Sequence, residues 1–210
     1  MQLSAMCVAT DFGKVLVTYG DRAELLKEIV RQQGGNERVI EGVFTDTLSL
    51  GLDTGVFTMG ELWEMVQVQA AFGALGLDDF FAFWRQQYQP IVPVVEYYLE
   101  LQKKKILLIA VSDADEFGFE HQRRILRQSG LDFGAVFVSY QRRKKKPKLF
   151  ADLVVFLKEK GIEPSQCVVV DDLHAQAAQR EYGFIPVTFD GTTQDVSVLR
   201  ESLSAIFCGP

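Results

Sequence analysis

Short apolar runs recur along the chain, and several stop at a polar residue. AMCVAT (5–10) stops at Asp11, ILLIAV (106–111) at Ser112, AVFV (135–138) at Ser139, CVVV (167–170) at Asp171 and FIPVTF (184–189) at Asp190. Runs this short and this rich in Val and Ile read as strands buried on both faces, the pattern of a parallel sheet. Between the later runs, apolar residues return at helical spacing over roughly 115–129, 149–160, 175–182 and 195–206. Strand and helix in alternation predict an α/β fold, a Rossmann-like, doubly wound parallel sheet.

The stretch 18–95 breaks this rhythm. AELLKEIVRQQGG carries Leu25, Leu26, Ile29 and Val30 at helical spacing and ends in glycines. TMGELWEMV opens with a capping box, Thr58 with Glu61. DDFFAFWRQQY is amphipathic and aromatic, and Phe80, Phe81, Phe83 and Trp84 read as helix-packing core. The expectation is an all-helical insert over 18–95 in an α/β core formed by 1–17 and 96–210, with PIVPVVEYYLELQKKK leading back to the sheet.

Composition narrows the classes. Of 210 residues, 48% are hydrophobic and 24% charged, enough to bury a core without a disulfide or structural metal. The net charge of −6 sets RRKKKPK (142–148) apart as a local basic run on an acidic protein. A nucleic-acid-binding domain is usually basic overall, so no nucleic-acid partner is expected. Cys7, Cys167 and Cys208 show no metal-site spacing and suit a reducing, cytoplasmic compartment. The N-terminal residues lack the layout of a signal peptide, and no apolar run is long enough to suggest a membrane span. His121 and His174, the two histidines, are read as structural, although His174 closely follows Asp172.

In an open parallel sheet, ligands bind beyond the carboxyl ends of the strands. Asp11 stands there as a candidate nucleophile, since a carboxylate can form a covalent aspartyl-phosphate. Asp171 and Asp172 are adjacent carboxylates that repel unless a cation intervenes, and with Asp11 they suit a hard divalent ion such as Mg²⁺. Ser112 offers a hydroxyl to a phosphate oxygen, and one lysine of the basic run offers a point charge.

Together these segments resemble the haloacid dehalogenase (HAD) superfamily, in particular the phosphatase-rich branch with a helical cap after the first strand. CVATDFGKVLV is similar to its first motif, LLIAVSD to its second, VFVSYQRRKKKPKLF to its third and GIEPSQCVVVDD to its fourth. The resemblance implies that Asp11 is nucleophile and metal ligand, that Gly13 gives its carbonyl to the metal, and that Asp171 and Asp172 complete a Mg²⁺ site. It implies that Ser112, Asp113 and Lys146 face the substrate, with Ser112 and Lys146 holding the phosphoryl group. The remaining basic residues, Arg142, Arg143, Lys144, Lys145 and Lys148, then form a solvated flank.

Two positions depart from the pattern. Family phosphatases commonly carry an acid two residues after the nucleophile, where this chain has Gly13. The Asp-x-Gly form resembles the sugar-phosphate phosphatase branch. Asp113 replaces an asparagine, and its carboxylate repels a phosphate dianion unless protonated or paired. The expected function is a Mg²⁺-dependent phosphomonoesterase acting on a small phosphorylated metabolite, as monomer or homodimer with no membrane partner. The alternatives are a catalytically weak relative that binds a phosphorylated ligand or a protein, and a carbon–halogen hydrolase.

Overall fold

The computed structural model describes residues 7–43, 46–70 and 76–208. Ala5 and Met6, at the start of the first expected strand, lie outside these residues with the rest of the N-terminal segment, as does the side chain of Cys208. The elements alternate as the apolar runs require. Strand β1 (Cys7–Thr10) is followed by helices α1 (Arg22–Gln32), α2 (Val39–Val43), α3 (Asp46–Asp53), α4 (Met59–Ala70), α5 (Leu77–Gln86) and α6 (Val92–Lys103). Then come β2 (Leu107–Ser112), α7 (Glu116–Gln128), β3 (Ala135–Val138), α8 (Ser139–Arg142), α9 (Phe150–Glu159), β4 (Cys167–Asp171), α10 (Ala175–Tyr182), β5 (Ile185–Thr188) and α11 (Val196–Cys208).

The five strands form one parallel sheet in the order β3-β2-β1-β4-β5. The chain builds outward from β1 in one direction and then restarts on its other side at β4. The crevice between β1 and β4 is therefore the topological switch point. Strand residues alternate between two apolar layers, because successive side chains leave opposite faces. Val8, Leu108, Ala110, Val168 and Val170 pack in one layer, and Cys7, Ala9, Ile109, Val111, Cys167 and Val169 in the other. The first layer receives α6, α7 and α11 through Tyr98, Phe119 and Leu203 and runs on into the insert through Leu26, Trp63, Phe80 and Trp84. The second receives α9 and α10 through Phe150, Leu153, Leu157 and Ala178.

Local signals account for the helix starts of the insert. The Asp21 carboxylate caps α1 by accepting from the amides of Ala23 and Glu24. The Thr58 amide donates to Glu61 Oε2 at 2.7 Å and the Glu61 amide to Thr58 Oγ1 at 3.2 Å, closing the expected capping box at α4. Phe80 stacks on Trp63 with centroids 4.6 Å apart, and Phe81 on Phe117 of α7 at 4.2 Å. The cap aromatics thus pack the insert within itself and against α7.

Candidate active site

The ends of the three central strands converge. Asp11 follows β1, its amide donating to the Val170 carbonyl of β4 at 3.0 Å. Asp11 Oδ1 accepts from the Phe12 amide and from Ser112 Oγ, both at 2.7 Å. Asp11 Oδ2 accepts from Lys146 Nζ at 2.6 Å. The same ammonium donates to Asp171 Oδ2 at 2.6 Å, while Asp171 Oδ1 accepts from the amides of Leu173 (2.9 Å) and His174 (2.6 Å). One carboxylate oxygen from each of Asp11, Asp171 and Asp172 lies within 4.8 Å of the others. Gly13, Ser112, Asp113, Lys146 and Asp172 border the same cavity of about 220 Å³. All seven residues singled out in the sequence therefore meet at one place.

The electrostatics follow from burial around a single ammonium. Desolvation alone would lower the Lys146 pKa, but Asp11, Asp171 and Asp113 together raise it, so the side chain stays charged. Burial also opposes ionisation of Asp171, yet Lys146 and two amide donors outweigh it and hold the carboxyl below its ordinary value. Asp11 keeps a net upward shift: burial and the repulsion of Asp171 exceed the help it receives from Lys146 and Ser112. Asp172 is pushed up by burial and by its two carboxylate neighbours. Three carboxylates facing Lys146, with Lys14 3.9 Å from Asp172, leave surplus negative charge on hard oxygen donors, and that donor set fits Mg²⁺.

Asp113 has a second task. Its Oδ1 and Oδ2 accept from the Lys146 amide at 3.0 and 3.3 Å, which ties the lysine's backbone to the end of β2. The basic run divides here. Lys146 is buried in the site, whereas Lys144 Nζ pairs with Asp152 at 2.7 Å and Lys145 Nζ with Asp53 at 2.8 Å. Arg142, Arg143 and Lys148 are exposed, as a solvated flank would be. Lys144 and Lys145 are not part of that flank, because each is half-buried and hydrogen-bonded to its acidic partner, whereas exposed Arg142 lies 3.8 Å from Asp152. Ser139 and Asp190, the other strand-end residues, stay out of the cavity because β3 and β5 are the sheet edges. Ser139 Oγ instead accepts from the Ala114 amide at 2.9 Å, and Asp190 Oδ1 accepts from the Thr192 amide at 2.9 Å.

Residues of the insert complete the cavity wall. Tyr19, Arg22 and Asp53 border it, together with Gln122 of α7 and His174. Arg22 Nη1 donates to Asp53 Oδ1 at 2.8 Å, and Arg22 Nη2 lies 3.2 Å from Asp115 Oδ2 at the start of α7. His174, read as structural from its position, borders the cavity with a pKa lowered by burial and by Lys146. Arg22 and Asp53 carried no sequence signal, since each sits in an ordinary helical pattern and they meet only on folding. A larger groove of about 600 Å³ lies between α4, α5 and α7 beside Phe81, Arg85 and Phe117, away from Asp11 and the carboxylate cluster.

No protein-family profile and no curated protein matches the chain. Solved structures do. A HAD family enzyme from Bacteroides thetaiotaomicron, in complex with magnesium and inorganic phosphate, is 19% identical with a TM-score of 0.73, over 93% of this chain and 99% of that one. A HAD-like family hydrolase from Porphyromonas gingivalis is 19% identical at TM-score 0.70, over 95% and 98% of the two chains. A HAD-superfamily hydrolase from Ehrlichia chaffeensis is 14% identical at TM-score 0.55, over 98% of each. The parallel sheet with its helical insert after β1 is the fold of the HAD-superfamily hydrolases.

Proposed function

We propose that the chain is a Mg²⁺-dependent phosphomonoester hydrolase that works through an aspartyl-phosphate on Asp11. The observation that carries this reading is the double hold on Asp11, with Ser112 Oγ on one carboxylate oxygen and Lys146 Nζ on the other, next to Asp171 and Asp172. The solved relative holding magnesium and inorganic phosphate supports it. An Asp11 oxygen attacks the phosphorus of a phosphoester seated in the cavity. Ser112 and Lys146, released from Asp11 by the incoming dianion, bind its equatorial oxygens and offset their charge. Asp11, the Gly13 carbonyl, Asp171 and Asp172 would hold a Mg²⁺ ion, which supplies Lewis-acid stabilisation of the phosphoryl charge. Water then cleaves the aspartyl-phosphate and frees inorganic phosphate. The helices α1–α5 act as a cap over the cavity, and its polar wall and volume of about 220 Å³ suit a small phosphorylated metabolite such as a sugar phosphate.

The test is turnover of p-nitrophenyl phosphate and a metabolite panel with Mg²⁺, with Asp11→Asn in parallel, and mass spectrometry of acid-quenched protein for a phosphoryl adduct. Phosphatase activity and an adduct that both vanish in Asp11→Asn are expected. Equal turnover in the two proteins, or none in either, overturns the reading.

A further inference from the structure

Cleavage of an unactivated phosphoester produces an alkoxide unless a proton reaches the leaving oxygen, and a positioned acid contributes about 10²–10⁴-fold. Residue 13, two after the nucleophile of the proposed reaction, is a glycine with no proton to give. Four carboxylates border the cavity: Asp11, Asp53, Asp113 and Asp172. Asp11 is the nucleophile of the proposed reaction. Asp53 is held ionised between Arg22 and Lys145. Asp172 belongs to the carboxylate cluster and faces Lys14 at 3.9 Å. Asp113 makes no ion pair with a cationic side chain among the described residues. Its partner is a backbone amide, and an asparagine oxygen would serve that amide equally well. The fold therefore tolerates an ionisable group where an amide would meet the structural need at lower desolvation cost.

We infer that Asp113 is the acid that protonates the leaving oxygen and the base that activates the hydrolytic water, an inference that rests on the hydrolase reading above. The placement supports it: Asp113 follows Ser112 directly and bonds the amide of Lys146, so it lies beside both groups assigned to the phosphoryl oxygens while bordering the cavity. Burial, opposed by Lys146 and Lys145 and reinforced by Asp11, pushes its pKa up to about 6, within reach of neutral pH. In the first half-reaction the bond from Asp11 Oδ to phosphorus forms, the ester P–O bond breaks, and the Asp113 proton passes to the departing oxygen to give an alcohol. In the second, the Asp113 carboxylate takes a proton from water as its oxygen attacks phosphorus. The Asp11–phosphorus bond breaks, releasing phosphate and restoring both carboxyl groups.

The experiment measures kcat/KM with saturating Mg²⁺ on aryl phosphates of graded leaving-group acidity and on glycerol 1-phosphate, for the parent protein and Asp113→Asn. Expected is a loss of about 10²–10⁴-fold on the alkyl ester and phenyl phosphate, with less than about tenfold on p-nitrophenyl phosphate, whose leaving group needs no proton. A uniform loss across the series, or a gain on every substrate, overturns the inference. The parent alone also tests it: a shallow dependence on leaving-group acidity is expected, and a steep one refutes proton donation whether or not the variant folds. If the parent and Asp11→Asn are equally inert on every ester, the hydrolase reading itself fails, and this inference with it.

Discussion

Lys146 holds two buried carboxylates with one ammonium, so its removal leaves two charges without their partner. Breaking a buried pair from one side costs about 3–5 kcal/mol. Lys146→Ala is expected to lower stability by that order and to abolish turnover, whereas Lys144→Ala, whose partners are partly exposed, is expected to cost about 1 kcal/mol or less. Urea melts of the two variants check the contrast. Asp113 gives a pH-dependent counterpart. Its folded pKa of about 6 lies above the ordinary 3.8, so between these values the folded state keeps a proton that the unfolded chain has released. That contribution is full below the ordinary value and is lost as pH rises through about 6, leaving an ionised, half-buried carboxylate as a penalty. Asp113→Asn should therefore be more stable than the parent at pH 7–8, by roughly 1–3 kcal/mol, with the gain shrinking toward pH 4. Thermal melts across that range decide the sign.

At the scale of elements, the insert meets the core through a short relay. Asp53 ends α3, Arg22 opens α1, Asp115 caps α7 and half-buried Lys145 precedes the site lysine, so four segments share one set of ion pairs around the buried Arg22. Gly55 sets the approach. Its φ is +67°, and a Cβ there would meet the Tyr140 carbonyl oxygen of α8 at 2.7 Å. Gly55→Ala is expected to cost roughly 1–3 kcal/mol and to shift Asp53 away from Lys145. It should raise KM while the Asp11-dependent step survives, which steady-state kinetics beside a melt would show.

For the whole molecule, acid is concentrated at one place, where Asp11, Asp171 and Asp172 bring carboxylate oxygens within 4.8 Å of one another. A divalent ion that binds only the folded state stabilises by mass action, about 2.7 kcal/mol at one hundred times Kd. The melting temperature should therefore rise with Mg²⁺ concentration and fall back on chelation. Asp172 separates the two effects, because its ionisation is opposed by burial, Asp11 and Asp171 when no cation is present. Asp172→Asn is expected to melt no lower than the parent in chelator and to lose most of the Mg²⁺-induced rise. A full Mg²⁺ shift in Asp172→Asn would remove that residue from the metal site.

Much of this was legible along the chain. Apolar runs ending at Asp11, Ser112 and Asp171 are visible because a strand buried on both faces must be continuously hydrophobic, and the residue that ends it meets the crevice. The resemblance of VFVSYQRRKKKPKLF to the third HAD motif implied one lysine, Lys146, among six basic residues. The sequence by itself thus determined the parallel sheet, the helical insert and the residues at the strand ends. Tertiary structure decided the rest. Strand order excluded Ser139 and Asp190, because edge strands end away from the switch point. An ion pair with the following helix claimed Lys144, and long-range pairs claimed Lys145 and brought Arg22 and Asp53 to the cavity, since contacts between segments far apart in the chain leave no period to read. Burial pushes both Asp113 and Asp171 up, and only the partners that folding brings to Asp171, the Lys146 ammonium and the amides of Leu173 and His174, hold that carboxyl below its ordinary pKa while Asp113 stays above.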